Sequence, residues 1–315
     1  MSTVPRSIRS IQARGLDRIP IWITGWRKWI TFSYVSQLKT AGPFSQQEFI
    51  ARWSVIQSSA WRSKDLREMT IGFWKMESLG AAYGRRPPAG GTLSDPNLPI
   101  EIRPIAHDGM GVAAVEVSGF DPAKITERIE SLAHPSFRLF SYESIGAMMG
   151  VYEMPVPKAL VGLEPHRLPE PRGFIRFFSP EIQRLISHGY GRILYFNSMD
   201  MASALRRIAE RSYLDLPTAV HGMAFAYAMV NHLDFWLVLE TGGEFEDAEL
   251  RAAFRNGLVY ALEFWEWETP GFLRSLQPRS KRSAELIENA QQEIDASLAR
   301  GVLSAFLVEN PKVAA

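Results

Sequence analysis

The 315-residue chain contains no cysteine, which removes disulfides, thiolate metal sites and a cysteine nucleophile from consideration. A cytoplasmic setting fits such a chain most easily. It also lacks any run of about 18 uncharged apolar residues, so no transmembrane helix is expected. The nearest approach, Ala219–Leu239, is interrupted by His221, Asn231, His232 and Asp234. The first residues, "MSTVPRSIRSIQARGLDR", have no apolar stretch of the secretory kind and read as a basic tail or a transit peptide.

Several chemistry-bearing motifs are missing as well. There is no GxxxxGKS/T phosphate loop, no GxGxxG opening a helix, no HExxH and no GxSxG elbow. No Glu-x-x-His pair occurs, which argues against a di-iron bundle. Aspartate-rich pairs that would hold magnesium are absent too. His221 and His232 stand eleven residues apart on one stretch, about 16 Å along a helix and too far to share a metal. The expectation is a protein with no metal and no cofactor.

What is present belongs to a folded chain, with 46% hydrophobic and 22% charged residues. The charge is unevenly placed. Residues 1–86 carry 14 basic against 5 acidic side chains, and the remainder 21 against 29. The N-terminal part therefore either faces an anionic partner or docks on the acidic remainder. Nucleic acid is not expected, because zinc spacings and ribonucleoprotein motifs are missing.

Six of the nine tryptophans lie in the first 80 residues. Trp22, Trp26 and Trp29 recur at i, i+4 and i+7, one face of a helix. That stripe, with Arg27 and Lys28 beside it, suits a membrane-surface or partner-docking helix, or a helix burying its aromatic face at home. A second helical stretch is expected over 45–78, where Ser45 and Glu48 form a capping box. The Gly/Pro-rich segment 80–100 reads as a loop closing this segment of residues 1–80. The main domain is expected over 101–315.

That domain repeats itself loosely in two units, 111–152 and 191–231. Each opens with a short β-like run, "GVAAVEV" or "GRILYFN". Each then places an aspartate, Asp121 or Asp200, to cap an amphipathic helix, with Ile129 and Ile208 eight residues on. A second helix follows, with small residues four apart, Gly146 and Gly150 or Ala224 and Ala228. Two C-terminal helices are expected over 245–268 and 280–306. The fold class expected is α+β, predominantly α-helical, with an internal duplication of a β-α-α unit.

Candidate chemistry lies in four places. Aligning the second helices of the units sets Glu143 opposite His221. A carboxylate beside an imidazole is an acid–base relay; the other reading is two helix-start residues satisfying local polar groups. In "YALEFWEWETPGF", Glu263 is the glutamate most enclosed by aromatic neighbours, namely Tyr260, Phe264, Trp265 and Trp267, with Tyr142 of the first unit as a further binding candidate. A buried carboxyl there would donate a proton to an apolar substrate, with aromatic faces stabilising a developing cation. The competing reading pairs Glu263 with a basic side chain and leaves Glu266 and Glu268 solvated. Finally, "NHLDFW" and "SHGYG" offer His232 with Asp234, and His188 with Tyr190 in a glycine-flanked turn; a helix end explains each equally well.

"GYGRILYFNSMD" and "IAERSYLDLPTAVHGMAFAYA", with "FSYESIGAM", "AFRNGLVYALEFW" and "SLARG", resemble the bacterial family known as domain of unknown function 1702, over about residues 110–310. Members often accompany enediyne and other polyketide or specialised-metabolite genes, and the family supplies no catalytic residues to carry over. The resemblance implies a role in bacterial specialised metabolism. Together with the residue reading it leads to an expected cyclase or isomerase acting on a bulky apolar terpenoid or polyene intermediate, with Glu263 as proton donor and Glu143 and His221 as relay. The alternative is a non-catalytic ligand-binding or scaffold protein of a biosynthetic complex.

Overall fold

The structure is a computed structural model that describes residues 66–87, 103–135, 137–154, 166–198, 200–231, 235–240, 245–268 and 271–300, with single positions at 47, 51, 54 and 55. The tryptophan stripe at Trp22, Trp26 and Trp29, the Ser45–Glu48 box and the His232–Asp234 pair lie outside the described residues.

Among the described residues the fold is all-α, which corrects the α+β expectation. The helices are α1 (Leu66–Arg85), α2 (Arg103–Ser118), α3 (Pro122–Leu132), α4 (Arg138–Glu153), α5 (Pro171–Arg176) and α6 (Pro180–Ser198). They continue with α7 (Met201–Ala209), α8 (Leu216–Val230), α9 (Phe235–Glu240), α10 (Ala248–Glu268), α11 (Phe272–Ser275) and α12 (Lys281–Arg300).

Both runs expected as strands are helix. "GVAAVEV" lies in α2 and "GRILYFN" in α6. A short apolar run looks the same whether a strand or an enclosed helix carries it. Here α2 is buried over residues 104–115, and a helix covered on nearly all sides has no polar face to betray its period. Each of the two units expected to repeat is thus helix–helix–helix, not β-α-α. Helix α1 also runs on through Gly80 to Arg85, beyond the glycine expected to open the loop. Gly80 lies against the Ala106 backbone and Gly84 against Met110 and Ala113, so these glycines serve a helix contact.

The chain divides into two compact bodies, the described residues up to Ile182 and those from Gln183 onward. In the first, α2 packs against α1, α3 and α4. In the second, α10 packs against α8, α11 and α12, and α8 also against α7 and α9.

The expected caps are in place. The Asp121 carboxylate accepts from the Ala123 and Lys124 amides at 3.1 and 3.2 Å, opening α3. Asp200 accepts from Ser203 N at 2.7 Å, opening α7. Ile129 and Ile208 are buried beneath these helices.

The triplets α2–α3–α4 and α6–α7–α8 also cross their outer helices alike. A Cβ on Gly111 would overlap the Ser141 carbonyl, and a Cβ on Gly191 would overlap the Ala219 carbonyl. Only glycine admits so close an approach of two helix backbones. Three residues before each glycine stands a titratable side chain, Asp108 or His188. Two residues after each carbonyl stands another, Glu143 or His221. The contact closes reciprocally one residue further on. Ser144 donates its hydroxyl to the Asp108 carbonyl at 2.7 Å, whereas Gly222 lies directly on the His188 carbonyl. The two crossings share one register, and one holds carboxylates where the other holds imidazoles.

Candidate acid–base site

In the second body the crossing of α6 and α8 is joined by α10. Gly257 of α10 rests on the His221 carbonyl and on the Ala224 methyl. These contacts bring three ionisable rings together. The His188 and His221 ring centroids are 4.9 Å apart, and Tyr260 lies 5.7 Å from the first and 5.8 Å from the second. Phe225 closes against Tyr260 at 5.0 Å and His188 at 6.0 Å, and Phe264 packs edge-on to Phe225 at 5.5 Å and Tyr260 at 6.0 Å.

The cluster is dry. His188 is 1% exposed, His221 4% and Tyr260 1%. Burial, and secondarily the neighbouring His188, hold the His221 pKa well below the ordinary histidine value. An imidazole so placed is neutral at pH 7, the form able to accept a proton.

Glu263 follows Tyr260 by three residues on α10 and is fully buried, at 0% exposure. Phe264 belongs to the aromatic cluster. Trp265 points elsewhere, stacking on Phe272 with centroids 5.6 Å apart. Trp267 lies on α10, and its side chain is outside the described residues. Glu266 is not simply solvated. Its carboxylate accepts from the Gly271 and Leu273 amides at 2.8 and 2.7 Å and so clasps the start of α11 to the end of α10.

Glu143 and Tyr142 lie on α4, in the first body. Both are 2% exposed. The Tyr142 hydroxyl donates to Glu130 at 2.9 Å, and burial, reinforced by that carboxylate, raises the phenol's pKa. The same body buries a polar seam. Ser141 donates to the His107 carbonyl at 2.6 Å, and Ser144 also bonds the Asp108 carboxylate. The His107 Nε2 accepts from the His134 amide at 2.9 Å, which leaves the ring proton on Nδ1.

Sequence reasoning does not single out Asp108, and it places His188 only with Tyr190 in a turn, not beside His221. "SHGYG" reads as a glycine-flanked turn, yet its residues are mid-helix in α6, with Tyr190 fully buried. The signal that finds both is the match of "HDGMG" (107–111) to "SHGYG" (187–191), with glycines at the same two positions.

Among the described residues no group of three or more His, Asp or Glu side chains could hold a metal ion, and no helix is long and apolar enough to cross a membrane. No family model, curated protein or solved structure matches the chain.

Proposed function

We propose that the chain is a cofactor-independent acid–base enzyme acting on a bulky apolar terpenoid or polyene/polyketide intermediate, as a cyclase or isomerase. The observation that carries this reading is the meeting of two imidazoles and a phenol inside an aromatic cluster, one turn of α10 from a fully buried carboxyl group. In such a site a carboxylic acid at Glu263 adds a proton to a substrate double bond. Aromatic faces stabilise the resulting cation, and a neutral imidazole removes a neighbouring proton. The electron pair of the broken C–H bond forms the new double bond, so product and substrate have equal mass. The resemblance to domain of unknown function 1702 supports placing the substrate in bacterial specialised metabolism.

The test is incubation of the purified protein with prenyl diphosphates and polyenes in D2O, followed by mass spectrometry. An isomer of the substrate, heavier by the one deuterium that replaces a hydrogen, is expected. Absence of any product from the whole panel would overturn the reading. The alternative, a non-catalytic ligand-binding or scaffold protein, is favoured by the glycine–carbonyl crossings that enclose the same residues tightly. The Trp-rich N-terminal segment is proposed as the docking element for a protein partner or membrane surface, testable by liposome co-sedimentation with and without residues 1–40.

A further inference from the structure

We infer that His188 is the working partner of His221, and that the two imidazoles act as one unit that carries a single proton. This rests on the acid–base reading above and deepens it, since that reading names only one of the two rings. Three observations carry it.

The first is geometry. Ring nitrogens stand about 1 Å from the ring centre, so centroids 4.9 Å apart can bring two nitrogens to hydrogen-bond distance, about 3 Å. The second is exclusion. Two imidazolium charges at this separation in a buried site repel strongly, so the second proton is refused once the first is bound. Among the described residues, helix α10 contributes Tyr260, with Glu263 one turn along, and α6 carries Arg192, one turn beyond His188 and 8% exposed. Helix α8 adds the Phe225 ring against His188.

The third is the register of the first body. Its crossing also sets two titratable residues at these positions, Asp108 and Glu143, each 2% exposed. A site needed only for packing would hold apolar residues in at least one of the two crossings, because burying such groups is costly. Both crossings instead keep a pair, and the pairs differ in chemistry.

His188 is then a positioning residue. It orients His221 and accepts the proton that His221 takes from substrate, returning the base to its neutral form while the proton stays within the site.

The test uses the full chain labelled with nitrogen-15 at histidine, with ring nitrogens followed by NMR from about pH 8 down to the onset of acid unfolding. His221→Gln supplies the assignment among the six histidines. In the wild type the two rings should trace one shared titration curve. In His188→Gln, His221 should take up its proton at a pH higher by at least about half a unit. Two independent curves, or an unchanged His221 midpoint in the variant, would overturn the inference. Should His188→Gln fail to fold, the wild-type curves decide alone. The measurement needs no substrate. Shared titration without turnover of any polyene removes the enzyme and keeps the pair; independent titration in an active protein removes the pair and keeps the enzyme.

Discussion

The His188 and His221 rings meet at 4.9 Å because the residue after His221 is glycine, and the α6 backbone rests on it at the His188 carbonyl. The reciprocal contact, Gly191 on the Ala219 carbonyl, lies three residues along α6. Gly222→Ala should therefore part the two helices and cost about 1–3 kcal/mol, the usual penalty of overpacking. Urea unfolding checks the size. Gly191→Ala should cost a similar amount, and the double variant less than the two together, because helices already parted for one methyl accept the second. Strict additivity would show that the two glycines do not hold the same contact.

Acid should weaken the second body through His221. Its folded pKa is depressed by burial and by His188, so below about pH 6.5 the unfolded chain binds a proton that the folded chain refuses. The contribution of the neutral ring is complete above that pH. It is lost as pH falls toward the folded pKa, by up to about 1.4 kcal/mol per pH unit. Urea midpoints at about pH 7.5 and 5.5 should differ more in wild type than in His221→Gln. Equal pH sensitivity in both would remove His221 as the source.

Glu263→Gln preserves shape but cannot release a proton. Product formation in the polyene assay should disappear, while near-UV circular dichroism keeps its wild-type form. Product at the wild-type rate would end the assignment of Glu263 as donor.

Glu266 offers the contrast. Its two amide hydrogen bonds are structural, so Glu266→Ala should lower stability by about 1–3 kcal/mol and leave product formation intact. Lost turnover in a folded Glu266→Ala protein would move the chemistry one turn along α10.

The caps give a simpler expectation. Asp200→Ala removes the acceptor for Ser203 N and should cost about 1 kcal/mol by thermal or urea unfolding. A change below a few tenths would mean that water replaces the carboxylate there.

Much of this was legible in the residues. Helix α10 follows from its apolar face, and the Asp121 and Asp200 caps from aspartate before an amphipathic run. The shared register of Glu143 and His221 follows from aligning α4 with α8. The β-like starts misled because most of each run is enclosed, Val117 being the exposed exception, and enclosure erases the polar face that marks a helix. His188 was hidden by its neighbours. Two glycines after it, Gly189 and Gly191, suggest a turn, and the partner backbone sitting on Gly191 explains why a helix keeps a glycine there. Glu266 was illegible for another reason: its partners, Gly271 and Leu273, lie across a chain reversal that spacing does not encode.

The matched crossings make the chain its own control for protein engineering. The backbone contact is set by Gly111 with Ser141 in one triplet and by Gly191 with Ala219 in the other, while the ionisable pair is an insert of two side chains. Ser144 marks one difference between them, since its hydroxyl occupies the point where Gly222 leaves room. Asp108→His, Glu143→His and Ser144→Gly would therefore rebuild the imidazole pair on the other scaffold. Comparing transplant with original would separate what the rings contribute from what their surroundings contribute.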